Sequence, residues 1–377
     1  MHSNKIAVSV FFAANGFLFT NYISRLPLIQ SEFALDNGAI GMVLLASALG
    51  ALIAMPFTGW LITEKGSRQI LTVAALLFCL VIPLIGFMPG GIALSLLFFV
   101  IGLATGTMDV SMNSQAVLVE KTLQRPVMSF FHALFSAGMM FGAGCGALFT
   151  HFQAGLLVHL ISVSLPALAA VLWAIRGLVP DRGQVTSGRK KRFQLPEASL
   201  IGVGLIAFCC MLGEGAMANW STNYMLRIAS ADSGFAPMGL VAFSLAMMTA
   251  RFLGDRVRDR MGDRHLLIGS SMVAVAGLGL ALLIPHPIVV LIGLLLVGLG
   301  LSVVVPIAYS TAGQAPGLAP GVGIGMVTTI GYGGLLLGPP IIGFLADWQG
   351  LRIALAFTLV LFVLMVLLSF RFRPASA

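Results

Sequence analysis

Apolar residues in this chain come in long runs separated by short polar breaks. Twelve runs stand out, at roughly 5–28, 39–62, 69–88, 92–118, 128–151, 155–178, 198–226, 236–254, 265–285, 288–312, 321–345 and 351–370, each long enough to cross ~30 Å of hydrocarbon. A run of this kind in lipid has to satisfy its own backbone hydrogen bonds, so each predicts a helix. The first follows Lys5 as a signal peptide would. It continues past signal length to Leu28 without a convincing cleavage site, and is read as an uncleaved span.

Composition gives the same reading. Of 377 residues, 58% are apolar and 9% charged, against about 25% charged in a typical soluble domain. Twenty-one basic and 13 acidic side chains are too few to give so large a chain a polar skin. The sequence therefore predicts an all-α integral membrane protein of twelve transmembrane helices. The net charge of +8 is explained by topology rather than by nucleic acid. With the N-terminus inside, every lysine and arginine except Arg25, Arg227 and Arg352 falls on the inner side. Both termini are then cytoplasmic. Cys79, Cys145, Cys209 and Cys210 all lie in apolar runs, without metal-type spacing, and read as small core residues.

The longest polar stretch, 179–196, contains Arg189-Lys190-Lys191-Arg192 and divides the chain into six-helix bundles at 1–178 and 197–377. The halves echo each other. Thr20-Asn21-Tyr22-Ile23-Ser24-Arg25 matches Thr222-Asn223-Tyr224-Met225-Leu226-Arg227. Gly66, Arg68, Gly102, Gly138 and Gly142 recur as Gly262, Arg264, Gly298, Gly334 and Gly338, each 196 residues later. Two six-helix pseudo-repeats are the architecture of an alternating-access carrier, with its site expected between the halves near the midplane.

On these features the chain resembles the major facilitator superfamily over essentially its whole length. The superfamily's loop motif, Gly-x-Leu-x-Asp-Arg-x-Gly-Arg-Arg/Lys, appears as Gly59-Trp60-Leu61-Ile62-Thr63-Glu64-Lys65-Gly66-Ser67-Arg68, with Thr63 in place of the aspartate and Glu64 in place of the arginine. A second copy, Asp259-Arg260-Met261-Gly262-Asp263-Arg264, keeps the aspartate, with the leading glycine displaced to Gly254. The resemblance implies inner-gate roles for Gly59, Gly66, Arg68, Arg251, Asp259, Arg260, Gly262 and Arg264. Asp109…Asn113, Phe131-His132, Glu214-Gly215…Asn219-Trp220 and Gly331-Tyr332…Gly338-Pro339-Pro340 are similar to a bacterial inner-membrane group near the fucose-permease-like carriers. That likeness implies the fold, alternating access and proton coupling. Gly138, Gly142 and Gly146 resemble the antiporter motif of span five, but Ala143 stands where that motif has proline.

Only Asp109 and Glu214 among the acids lie well inside apolar runs. A charge near the bilayer centre costs ~2.5–3.5 kcal/mol even on lenient scales, so such residues face a bundle interior or a wet cavity. These two are the candidates for proton coupling, against the alternative of permanently paired groups that bridge helices. Asn113 is one turn from Asp109 and shares its face. Asn15, Tyr22, Asn113, Asn219, Trp220, Asn223, Tyr309 and Tyr332 are the candidate substrate-cavity residues, their amides and rings suited to a small hydroxylated or amide-bearing solute. On an ideal helix Asn219 and Asn223 point away from Glu214, and interface or packing roles stay open for the aromatics. Arg25 and Arg227 read as an outer mouth or gate, or as snorkelling side chains. His132 is a candidate relay, or a helix-linking hydrogen-bond partner.

Gly321-Val322-Gly323-Ile324-Gly325 follows no strand, so it is not read as a dinucleotide loop. No Walker lysine, metal cluster or nucleophile–base pair is recognisable. The expectation is a proton-coupled secondary transporter of a small polar organic solute, working without a cofactor, in the bacterial inner membrane and as a monomer among lipid. Its competitors are a drug/proton antiporter, from the abundance of Met and Phe, and a membrane sensor that keeps the fold without transport.

Overall fold

The computed structural model describes residues 2–35, 37–181, 198–232, 235–236 and 238–372, and among them all regular structure is helical. The helices are α1 (His2–Ile23), α2 (Leu26–Glu32), α3 (Asn37–Lys65), α4 (Ser67–Val81), α5 (Gly91–Leu123), α6 (Met128–His151), α7 (Leu156–Ala174), α8 (Ala198–Arg227), α9 (Met238–Met261), α10 (Asp263–Leu283), α11 (Pro287–Leu301), α12 (Val304–Gly313), α13 (Pro320–Gln349) and α14 (Leu351–Arg371). Twelve segments are long and apolar enough to cross a membrane; α2 is too short, and α11 with α12 makes one segment, Pro287–Gly313. Large apolar side chains such as Ile92, Leu283, Phe344 and Trp348 stand exposed on these helices. In water such surface is an aggregation liability, whereas a bilayer is its proper solvent.

Three apolar runs break beside prolines. One of them is at 69–88, where α4 ends at Val81 ahead of Pro83, and α5 and α9 extend past their runs to Leu123 and Met261. The first run was expected to reach Leu28, but α1 ends at Ile23 and α2 begins at Leu26. Pro27 has no N–H to donate to the Ile23 carbonyl four residues back, so the helix cannot run through. The run at 288–312 breaks at Ser302–Val303, four residues before Pro306. By contrast α13 continues through residues 338–340.

Among the described residues the chain forms two compact units. One holds residues 2–127, 131–181 and 318–325, and the other holds 128–130, 198–317 and 326–372. Within each, helices approach to backbone contact where glycine leaves room. A Cβ on Gly102 of α5 would lie 1.9 Å from the Ser47 carbonyl oxygen of α3, and one on Gly298 of α11 would lie 2.2 Å from that of Phe243 in α9. Ser47 and Phe243 are themselves 196 residues apart (243 − 47), the same offset as the two glycines (298 − 102). The repeat seen in the sequence is thus a repeat of internal packing. In the first unit, Gly138 and Gly142 of α6 meet the Ala13 and Phe17 carbonyls of α1 in the same way. These are the close crossings that small residues permit in membranes.

Single glycines separate successive helices at two equivalent places. Gly66, at φ +83°, lies between α3 and α4, and Gly262, at φ +73°, between α9 and α10. Left-handed backbone of this kind favours glycine. At the first, Asp181 satisfies the start of α4. Its carboxylate accepts hydrogen bonds from the Ser67 N–H (2.6 Å), the Ser67 hydroxyl (2.6 Å) and the Arg68 N–H (2.9 Å). Gln115, fully buried on α5, donates to Ser67 Oγ and the Val179 carbonyl and accepts from the Val179 N–H. Residues 179–181, the beginning of the expected linker, are therefore tied to the first unit. The rest of that linker, including Arg189-Lys190-Lys191-Arg192, lies outside the described residues.

Two measurements check this packing. Gly102→Leu and Gly298→Leu are each expected to destabilise by about 1–3 kcal/mol or more, as overpacking against backbone does, while Gly144→Ala, with open space at its Cβ, leaves the thermal midpoint unchanged. Asp181→Ala removes the two carboxylate oxygens that accept three hydrogen bonds at the start of α4 and is expected to cost about 1–2 kcal/mol, the range of a strong helix cap, with Asp181→Asn in between.

Candidate functional site

Each unit brings an acid of the apolar runs together with polar partners, described separately below. In the first unit the cluster stands on α1, α5 and α6. Asp109 and Asn113 are one turn apart on α5 and both are buried. Asn113 Nδ2 donates to the Asp109 carbonyl (2.9 Å) and to Asp109 Oδ1 (3.2 Å). Asn113 Oδ1 is then left for His132 Nε2 at 3.2 Å, so with this amide orientation Nε2 carries the proton. Phe12 of α1 sets its ring edge-on to the His132 ring at 5.4 Å and stacks on Phe131. Asn15, also buried, points its amide at Met112 Sδ, 3.6 Å away. The sequence-predicted Asp109, Asn113, His132 and Asn15 thus share one locality. Asn113 bridges the carboxyl and the imidazole and fixes both.

In the second unit the cluster stands on α8, α9 and the break between α11 and α12. Arg251 is 6% exposed and was expected at an inner gate; the structure instead buries it beside Glu214, with Arg251 Nη2 3.5 Å from Glu214 Oε2. The helix break explains the placement. Pro306 offers no N–H to the Ser302 carbonyl four residues back, so the chain opens there, and Arg251 Nε takes that carbonyl at 3.3 Å. Cys210, one turn before Glu214, directs its thiol to the neighbouring Leu301 carbonyl at 3.5 Å. A polar backbone group freed in an apolar span is thus matched to a buried guanidinium, which is matched to a carboxylate.

The remaining cavity candidates are scattered. Tyr22 is fully buried between Phe19 and Phe98, edge-to-face with both, which makes it a packing residue. Asn219 is exposed and turns its amide back to the Gly215 carbonyl at 2.7 Å. The Trp220 ring lies over the position of a Cβ on Gly343, and Asn223 is half-buried on the same helix. Tyr309 is buried on α12, and Tyr332 is half-buried on α13.

The paired outer arginines differ from one another. Arg227 is exposed. Arg25 is buried and binds the end of α6, donating to Thr150 Oγ1 (3.1 Å) and the Ala154 carbonyl (2.5 Å). That corrects the reading of Arg25 as a snorkelling side chain. Near it, fully buried His159 pairs Nε2 with Asn21 Oδ1 at 2.8 Å and stacks on Phe149.

The second loop motif also needs correction. Asp259 and Arg260 are exposed, and the buried interactions belong to Asp255, Arg258 and Asp263. Arg258 grips Asp263 at 2.6 and 2.9 Å and donates to Ser310 Oγ at 2.9 Å. Within the same unit, Asp255 accepts from the Ser129 and Phe130 N–H groups, at 3.0 and 2.8 Å, at the start of α6. Arg251, Gly254, Asp255 and Arg258 recur at helical spacing and are all buried, and that periodicity was the signal available in the sequence. In the first motif, Gly59 lets the Gly321 backbone approach, and Arg68 Nη2 lies 3.5 Å from the Ile175 carbonyl. Arg264 Nη2 donates to the Phe370 carbonyl at 2.8 Å.

Comparison with known proteins accounts for this scaffold. The chain matches the profile of the Major Facilitator Superfamily over residues 6–319 and 203–377. It is 32% identical to an uncharacterised MFS-type transporter of Yersinia pestis, over 93% of this chain and 91% of the relative. It is 33% identical to the membrane protein MosC of Rhizobium meliloti, over 95% and 87%. Among solved structures, the MFS transporter FucP in its outward conformation aligns with a TM-score of 0.80 at 16% identity, covering 98% of both chains. The proton:xylose symporter XylE aligns at 0.77 and 15%, covering 99% and 96%. The fold is theirs, and the chain belongs to the major facilitator superfamily, a family of membrane transporters rather than enzymes.

Proposed function

We propose that this chain is a proton-coupled secondary transporter that moves a small polar organic solute across the bacterial inner membrane by alternating access. The observation that carries the reading is an intramembrane carboxyl group in each unit, buried Asp109 with the Asn113 amide that also meets His132, and half-buried Glu214 with Arg251. Ionisable groups inside spans commonly mark proton relays and substrate paths in pumps and transporters. The proton:xylose symporter of similar fold adds support from a protein that couples the two. The internal repeat supports alternating exposure of residues 1–178 and 197–377. The lysine and arginine bias supports cytoplasmic termini. On this reading the protein works as a monomer, uses the proton gradient as its energy source and holds no cofactor.

Liposomes with an internal pH dye test the proposal, using a panel of sugars, sugar acids, amino acids and lipophilic cations. At least one polar solute is expected to trigger a pH change, which is lost in Glu214→Gln or Asp109→Asn with folding intact. Labelled solute entering at an unaltered rate in both variants would show that neither carboxyl couples protons. A response to lipophilic cations alone would make the chain a drug/proton antiporter. His132→Leu, which deprives Asn113 Oδ1 of its donor, is expected to slow solute-driven proton flux about tenfold, the order of one lost hydrogen bond.

A further inference from the structure

Two arginine–carboxylate pairs lie in the second unit, and they are built differently. Arg258 and Asp263 are two short contacts between neighbours in sequence, 2.6 and 2.9 Å, with Ser310 adding a third partner to the guanidinium. That geometry is a clamp. Arg251 and Glu214 approach only to 3.5 Å, and the Glu214 side chain is 31% exposed while that of Arg251 is 8% exposed. The guanidinium is held in place by the Ser302 carbonyl that Pro306 frees. The carboxylate is the more exposed and more loosely held partner.

Removing the carboxylate from an arginine–carboxylate pair inside a membrane leaves an uncompensated charge, which is strongly unfavourable unless another acceptor takes its place. Glu214 can leave Arg251 when another anion arrives. A planar carboxylate matches the guanidinium fork and carries the same single charge as the group it displaces, whereas a phosphate dianion would bring an extra charge into the span.

We propose that Arg251 anchors a carboxylate-bearing substrate, which takes the place of Glu214 on the guanidinium as Glu214 accepts a proton. This rests on the reading of the chain as a proton-coupled carrier. The exchange balances: one proton binds Glu214 as one carboxylate binds Arg251, and the site stays neutral. The other elements against α8 add little charge to this exchange. Cys209 and Cys210 are the neighbouring titratable groups on α8 itself. The α11–α12 break brings the Leu301 and Ser302 carbonyls, α14 brings Phe362 against Gly213, and α13 brings Gly334 and Gly338.

The test uses full-length protein and matched probes that differ only in the carboxylate: D-gluconate with D-sorbitol, and benzoate with benzyl alcohol. Binding is read from the thermal midpoint across a concentration series, and transport from proteoliposomes with the membrane potential clamped. At least one carboxylate is expected to bind ten-fold or more tightly than its alcohol. Glu214→Gln should keep that binding and lose its dependence on pH. Because Arg251→Gln alone strands Glu214 as a buried charge and risks the fold, the decisive variant is Glu214→Gln with Arg251→Gln. It carries no unpaired charge and should lose the carboxylate preference that Glu214→Gln retains.

Equal binding of acid and alcohol, no binding of either acid, or tight acid binding by the double variant each overturns the assignment. Carboxylate uptake should be unaffected by an imposed potential; uptake accelerated by either polarity overturns the neutral exchange. A neutral solute carried with protons by the double variant would sink the carboxylate anchor and leave the transporter reading intact. A carboxylate that binds through Arg251 without moving protons would keep the anchor and sink the coupling.

Discussion

A backbone carbonyl or a charge inside a bilayer has no water to turn to, and much of this structure follows from finding each one a partner. Pro306 is the clearest case. It removes one N–H from the helix that would otherwise run through residues 287–313, and the Ser302 carbonyl is left over. Arg251 takes that carbonyl, and Glu214 answers Arg251. One proline thus fixes the position of a buried guanidinium, and the guanidinium gives an acid in a neighbouring span its reason to be there. Asp109 follows a parallel logic, meeting the amide of Asn113 one turn away.

Such side-chain positions matter only if the helices themselves are held in register, and glycine does that here. Where Gly102 meets Ser47 and Gly298 meets Phe243, backbone lies against backbone with no side chain to absorb an error. Lipid gives little hydrophobic drive for helices to associate, so this close packing supplies much of the attraction. The same crossings bring α5 alongside α3 and α11 alongside α9, the helices that carry Asp109 and Arg251.

The fold was legible because twenty apolar residues in a row admit few structures in lipid. The run boundaries failed at Pro27, Pro83 and Pro306, where the missing N–H outweighs hydropathy, and at the ends of α5 and α9, where the helix outlasts the apolar run. The acids Asp109 and Glu214 were legible as charges in apolar runs. Arg251 was misread because its run was taken to end at residue 254, so proximity to a basic loop outweighed its helical spacing with Gly254, Asp255 and Arg258. Asp259 and Arg260 fit the superfamily motif's order of residues, but the helix turns them outward. For Tyr22 the sequence left a cavity role and a packing role open, since only the positions of Phe19 and Phe98 decide between the two uses.

The repeat preserves geometry and discards chemistry. At the offset of 196 that relates the glycine crossings, Arg251 corresponds to Met55, Asp109 to Val305 and Asn113 to Tyr309, and Met55, Val305 and Tyr309 are all buried. Ser67, which receives the Asp181 carboxylate, corresponds to Asp263, which supplies a carboxylate to Arg258. Gly59, which admits the Gly321 backbone, corresponds to Asp255, which binds two backbone N–H groups. Packing constrains both copies alike, because a glycine against a carbonyl tolerates nothing larger. A polar cluster needs only partners within its own unit, so each copy can carry a different one. Two copies of one scaffold therefore hold two unlike ionisable groups, an amide-bound carboxyl in one and an arginine-bound carboxyl in the other. The two carboxyls meet different neighbours, the Asn113 amide in one copy and the Arg251 guanidinium in the other.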